Sequence, residues 1–257
     1  MPAKYDSHLQ DHMQCPAITF DWQGKAQGSK SRVMAHLKDI SPPELVIFDC
    51  DGVLVDSETV ANEMLAIAVT ELGWPTTTAQ SHQRFRGRSM KSSLAIMEQE
   101  GGVRCTDEWL AETRAQIRQA VMETVTAIPG IADVVARVAS AGLPRCVGSS
   151  SDPDYLSLVL ARTGLAPHFG DSVFSAHMVA NGKPAPDLFL FAASQMGHAP
   201  QNALVIEDTV PGIEAAIAAG MRVIGYAGDP HTDPDALAAA GAQVVRDMGE
   251  VPVLLGL

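Results

Sequence analysis

The sequence predicts an α/β fold built on a mainly parallel sheet, with an all-helical segment inserted after the first strand. Three observations predict it. Short runs rich in Val, Ile and Leu alternate with stretches of helical period. The runs are mainly apolar, as in strands buried on both faces. The alternation breaks once, over residues 58–129, where only helical periodicity is found.

Residues 1–44 mix polar residues, Gly and Lys (GKAQGSKSR), end at Pro42-Pro43, and read as an N-terminal extension. ELVIFD follows as the first strand. ETVANEMLAIAVTELG, SMKSSLAIMEQEG and EWLAETRAQIRQAVMETV then supply helices only. Some seventy residues of helix exceed what a strand-to-strand crossover needs, so residues 58–129 read as a cap domain on a core of residues 45–57 and 130–257. In that core LPRCVGSS, SVFSA, ALVIED and MRVIGY are the remaining strands. The helices between them close on Gly142, Gly164, Gly197 and Gly220, the usual helix stop.

Composition narrows the partners. The formal charge of −12 argues against nucleic acid and anionic membrane surfaces, and no apolar run approaches the length of a bilayer span. The N-terminus has no basic-then-apolar leader pattern, and Cys15, Cys50, Cys105 and Cys146 form no close pair. The expectation is a cytoplasmic protein with reduced thiols, a monomer or weak dimer, acting on a small molecule.

The stretch FDCDGVLVDSE places Asp49, Asp51, Asp56 and Glu58 directly behind an apolar strand. Ligands of open parallel sheets bind beyond the strands' carboxyl ends, so the other strand ends matter equally. The second ends in Ser149-Ser150-Ser151, the loop after the third carries Lys183, and the fourth ends in Glu207-Asp208. Each has an ordinary reading: Asp51-Gly52 as a turn, Ser151 with Asp154 as a capping box, Lys183 as a loop lysine, Glu207-Asp208 as a solvated strand end. Four consecutive strand ends delivering carboxylates, hydroxyls and one ammonium to a single rim fit phosphoryl transfer better. One carboxylate can attack phosphorus, a second can carry the leaving-group proton, and others can hold Mg²⁺. Hydroxyls, helix-start N–H groups and the lysine can hold phosphate oxygens. Mg²⁺ and Lys183 would also let an anion approach so acidic a chain.

These residues resemble the haloacid dehalogenase superfamily of phosphotransferases, in the branch with a helical cap after the first strand that includes β-phosphoglucomutase and many sugar-phosphate phosphatases. The resemblance runs from about Leu45 to the C-terminus and rests on FDCDGVLVDSE, VGSSS, GKPAPDLF and VIEDTVPGIEAAIAAGM, in the family's order and spacing. It implies a Rossmann-like core and a Mg²⁺-dependent phosphatase acting on small phosphorylated metabolites through an aspartyl-phosphate. It casts Asp49 as nucleophile and Asp51 as acid/base, with Ser149, Ser150 and Lys183 binding phosphate. The metal would rest on Asp208, the Asp49 carboxylate and the Asp51 carbonyl, with Glu207 orienting its waters. The superfamily's dehalogenases lack the second aspartate and need no metal, so Asp51 and Asp208 argue against dehalogenation.

Two departures bear on substrate. Mutases of the β-phosphoglucomutase type carry a His where this chain has Ala61, and a cap-loop Arg where it has Met90. Both favour hydrolysis over the alternative, a hexose phosphomutase. A second alternative, a non-enzymatic phosphoacceptor module, shares the acids, hydroxyl and lysine, but such modules are shorter, lack a cap and place their acceptor later in the chain. The cap segment RFRGRSMK concentrates Arg84, Arg86, Arg88 and Lys91. Its ordinary reading is a solvated, charge-balancing loop. The functional one is that Arg86 and Arg88 read the leaving group, and a guanidinium fork suits a sugar-acid phosphate such as 6-phosphogluconate.

Overall fold

The computed structural model describes residues 42–85 and 90–257. The expected extension therefore lies outside the described residues, apart from a lead-in in which the Glu44 N–H donates to the Asn202 carbonyl at 2.8 Å. β1 (Leu45–Phe48) runs into a tight loop and the two-residue β2 (Val55–Asp56). Four helices follow, α1 (Glu58–Glu71), α2 (Thr78–Phe85), α3 (Met90–Gln99) and α4 (Asp107–Thr124), then β3 (Thr126–Ala127). Strands and helices alternate after that: α5 (Ile131–Ser140), β4 (Arg145–Ser149), α6 (Pro153–Arg162), the short α7 (Ala166–Phe169) and β5 (Val173–Ser175). They continue with α8 (Asp187–Gln195), β6 (Ala203–Glu207), α9 (Val210–Ala218), β7 (Arg222–Tyr226), α10 (Pro234–Ala239), β8 (Gln243–Val245) and α11 (Val251–Leu255).

Six strands form one parallel sheet in the order β5-β4-β1-β6-β7-β8, the Rossmann-like arrangement in which strand order reverses beside the first strand. That reversal falls between β1 and β6, and Phe48 is registered with Ile206 there. The residues that follow both strands therefore emerge side by side in the crevice at the switch point. β1 is buried along its whole length and alternates its side chains between two cores. Val46 and Phe48 pack with Ile131, Val135, Leu156 and Val159 of α5 and α6, whereas Leu45 and Ile47 pack with Phe189 and Ala192 of α8 and Ile213 of α9. Each large aliphatic or aromatic side chain so buried contributes about 1.5–3 kcal/mol.

The helices between β2 and β3 have an apolar cluster of their own, Leu65, Val69, Phe85, Met97 and Val103, with Trp74 set edge-on to Phe85. The chain leaves for this insertion and returns from it through an antiparallel β2–β3 ribbon, Val55 opposite Ala127. Neither the ribbon nor β8 stands out in the sequence. The ribbon strands are two residues each, too short to show a period, and β8 is only three residues with one of them buried. The four glycine stops do sit just past their helices with φ of 68° to 75°. Among the described residues no helix is long and apolar enough to cross a membrane, and Cys50, Cys105 and Cys146 are free thiols.

Candidate active site

Asp49 follows β1, its N–H donating to the Ile206 carbonyl of β6 at 2.9 Å, and its side chain is nearly buried. The loop beyond it folds over the Cys50 carbonyl, which accepts the N–H groups of Val53, Leu54 and Val55. This tight winding turns Asp51 back toward the sheet. Gly52 makes it possible at φ +82°, and a Cβ there would stand 2.2 Å from Asp208 Oδ2. The Asp208 carboxylate thus rests directly against the Asp51–Gly52 backbone. Gly52→Ala should lower stability by about 1–2 kcal/mol for the left-handed backbone alone, and should also displace Asp208. Thermal unfolding and turnover measure the two effects, and a variant that loses stability but keeps full turnover would mean the Asp208 position is not critical.

Lys183 arrives from the loop between β5 and α8. Its Nζ donates to Asp49 Oδ1 and, at 2.8 Å, to Glu207 Oε1, with the Phe189 ring centroid 5.0 Å beneath it. Glu207 is 1% exposed and uses its other oxygen to accept the Thr209 N–H at 2.7 Å and the Thr209 hydroxyl at 2.9 Å. A Cβ at position 212 would fall 1.7 Å from Glu207 Oε1, so only glycine lets this carboxylate lie against the start of α9. Burial alone would lower the Lys183 ammonium; Asp49 and Glu207 outweigh it and raise it well above its usual value. Burial pushes the Asp49 carboxyl up to about 7, against the pull of Lys183 and with that of Glu207 and Asp51 added.

Asp51 is held by three hydroxyls. Ser57 Oγ and Tyr155 Oη donate to Oδ1, the latter at 2.7 Å, and Ser151 Oγ donates to Oδ2 at 2.6 Å. Burial and the Asp51 charge push the Tyr155 phenol far up, so it stays a donor. Ser151 is therefore not the cap that the Ser151–Asp154 spacing suggests. Asp152 caps α6, accepting the Tyr155 N–H at 2.9 Å, because Ser151 is drawn to Asp51. Ser149, at the end of β4, is 1% exposed and accepts the Ser151 N–H at 3.2 Å, while Ser150 is exposed. Ser57 and Ser151 lie within stretches singled out in the sequence. Tyr155 carries no signal there: it lies 104 residues from Asp51 and reaches it only through the fold.

These groups share one cleft of about 1280 Å³ whose walls include Asp49, Asp51, Ser149, Lys183 and Asp208 on the sheet side and Ala61 from the insertion. Of the basic cap segment, Arg84 packs within the insertion, its guanidinium 4.3 Å over Trp74 and Nη1 3.5 Å from Thr76 Oγ1. Arg86 and Arg88, and the side chains of Met90 and Lys91, lie outside the described residues. A divalent cation has suitable donors here. The carboxylates of Asp49, Asp51, Glu207 and Asp208 line the cleft together, two of them paired with Lys183, and Asp208 abuts the backbone that carries the Asp51 carbonyl. Among the described residues no three acidic, His or Cys side chains form a ready cage, so a cation here would rest on few protein oxygens and keep several waters, a coordination that Mg²⁺ accepts.

Residues 43–220 match the model of the haloacid dehalogenase-like hydrolases. The chain belongs to that family. This hydrolase is 29% identical over 197 residues to the 6-phosphogluconate phosphatase of Escherichia coli (strain K12), which spans 74% of this chain and 86% of the relative. It is 30% identical over 179 residues to a fructose-1-phosphate phosphatase of the same organism, covering 70% and 94%. Among solved structures it resembles a HAD family hydrolase from Deinococcus radiodurans R1 with bound phosphate and sodium, at 33% identity and a TM-score of 0.76 over 84% of this chain and 96% of that one. The hydrolase is accordingly a phosphoric monoester hydrolase.

Proposed function

We propose that the protein hydrolyses small phosphorylated metabolites, sugar and sugar-acid phosphates, with Mg²⁺ and through an aspartyl-phosphate on Asp49. The observation that carries this reading is the buried Lys183 ammonium bonded to Asp49 at the switch point of the sheet, with the Ser149 hydroxyl and the Asp51 carboxylate in the same cleft. Relatives named for 6-phosphogluconate and fructose 1-phosphate support the substrate class.

In this reading Lys183, Ser149 and Ser150 hold the phosphate oxygens. An Asp49 oxygen attacks phosphorus as the bond to the leaving oxygen breaks, and Asp51 gives that oxygen its proton. Asp51 then takes a proton from water, whose oxygen attacks the same phosphorus and frees the Asp49 carboxylate. Mg²⁺, held by Asp49, Asp208 and the Asp51 carbonyl, would offset the charge of the phosphate as it nears the carboxylates. Glu207 fixes Lys183 at one oxygen and Thr209 at the other, which keeps the ammonium aimed at Asp49. Residues 58–129 act as a cap over the core of residues 45–57 and 130–257, excluding water in the first step and admitting it in the second. Arg86 and Arg88 keep the substrate-facing role that the sequence suggests. Ala61 lines the cleft with a methyl group where the resemblance sets a mutase histidine, which favours hydrolysis over phosphoryl return.

The test is a phosphate-release screen over a metabolite panel, with and without Mg²⁺, including β-glucose 1-phosphate with a trace of its bisphosphate. Inorganic phosphate should appear from sugar phosphates only with metal. Formation of glucose 6-phosphate faster than phosphate release would overturn hydrolysis as the function.

A further inference from the structure

α4 turns one face to the cleft. Arg114, Ile117, Arg118 and Val121 all line it, at the spacing of a single helical face. Val121 belongs to the core beneath the sheet, and Ile117 packs against both that core and the cluster of the insertion. Two arginines thus interrupt an otherwise apolar stripe, and they differ in one respect. Arg118 Nη1 lies 2.6 Å from Asp152 Oδ2, and its guanidinium is 5.8 Å from the centre of the Tyr155 ring, whose hydroxyl holds Asp51. Arg114 has no ion-pair partner among the described residues.

That difference matters because the Lys and Arg residues among the cleft's described walls are Lys183, Arg118 and Arg114. Lys183 is matched by Asp49 and Glu207, and Arg118 by Asp152. Arg114 is the cation left over. It stands one turn from Arg118 toward the start of α4, about 6 Å along the axis, and α4 ends next to β3 of the two-stranded ribbon. Arg118 lies beside Tyr155, whose hydroxyl holds Asp51, and Arg114 lines the same cleft one turn farther along α4.

We infer that Arg114 binds a carboxylate at the end of the substrate remote from the phosphate, and that the enzyme thereby selects sugar-acid monophosphates over neutral sugar monophosphates. The inference rests on the phosphatase reading above. A guanidinium meets a carboxylate through two parallel N–H···O bonds, and closing the cleft would strip the water that screens an exposed arginine.

Three probes test it: 6-phosphogluconate, glucose 6-phosphate and p-nitrophenyl phosphate. The two sugars present the same phosphate-bearing carbon and differ in charge at the opposite end. The wild-type protein should favour 6-phosphogluconate by about tenfold or more in kcat/KM, the value of one charge-assisted contact. Arg114→Gln should bring that ratio close to one, chiefly by raising KM for 6-phosphogluconate, and Arg114→Lys should recover part of it. A wild-type protein without the preference, an Arg114→Gln protein that keeps it, or equal loss on all three esters would each overturn the inference. If p-nitrophenyl phosphate is hydrolysed but the preference is missing, only the Arg114 inference fails. If none of the three is hydrolysed, the phosphatase reading falls and takes the inference with it.

Discussion

Asp49→Asn is expected to remove turnover by roughly 10⁴-fold or more, the scale of losing a covalent nucleophile. The amide is nearly isosteric with the carboxylate but cannot form the acyl phosphate. The fold should survive. Truncating one partner of a buried ion pair usually costs about 3–5 kcal/mol, because the other charge is left stranded. Lys183 would not be stranded, since Glu207 Oε1 still accepts from it at 2.8 Å, and the amide oxygen can accept in place of the lost carboxylate oxygen. A cooperative thermal transition within a few degrees of wild type would establish that. Acid quenching of the wild-type protein during turnover of a labelled phosphate ester should trap label on Asp49, and the variant should trap none. A folded Asp49→Asn protein with wild-type rates would eliminate the mechanism.

Removal of divalent metal should have an effect of comparable size. Excess chelator should stop phosphate release, Mg²⁺ should restore it, and Ca²⁺ should do so poorly, because it prefers more ligands in a looser geometry. Asp208→Asn should raise the Mg²⁺ concentration needed for half-maximal rate by at least the 10–100-fold typical of changes around a metal site. Titration calorimetry with Mg²⁺ would show the same shift without turnover. The expectation follows from charge: Asp49, Asp51, Glu207 and Asp208 line the cleft together, and Lys183 is engaged by Asp49 and Glu207. Full activity in excess chelator would rule the requirement out.

Much of this site could be read along the chain because its residues sit at strand ends, and strands announce themselves by continuous burial. ELVIFD, LPRCVGSS and ALVIED are mainly apolar up to the residue where the chemistry begins, so Asp49, Ser149 and Glu207 could be placed on one rim without coordinates. Lys183 was reachable for the same reason, lying in the loop that follows a strand. The short edge elements escaped: β8 and the β2–β3 ribbon are too brief for a period to register. The arginines are a different case. In RFRGRSMK, Arg84 packs on Trp74 and Arg86 and Arg88 lie outside the described residues, while Arg114 and Arg118 look like ordinary surface residues of an amphipathic helix in the sequence and line the cleft in the fold.

What the sequence determined by itself, then, is everything that depends on period and order: a buried parallel sheet, an all-helical insertion after its first strand, and acids, hydroxyls and a lysine at consecutive strand ends. Such properties are local, because the alternation of strand and helix is written residue by residue and the parallel sheet follows from it. Only the tertiary structure decided which side chains share the cleft and what each is bonded to. Tyr155 meets Asp51 across 104 residues, Ser151 is bonded to the same carboxylate and not to a helix start, and Arg114 lines the cleft without an ion-pair partner among the described residues. Those pairings depend on how α4 packs against α6 and how α6 is set beside β1. A helix's sequence specifies which residues share a face, but what that face meets depends on packing across the whole domain.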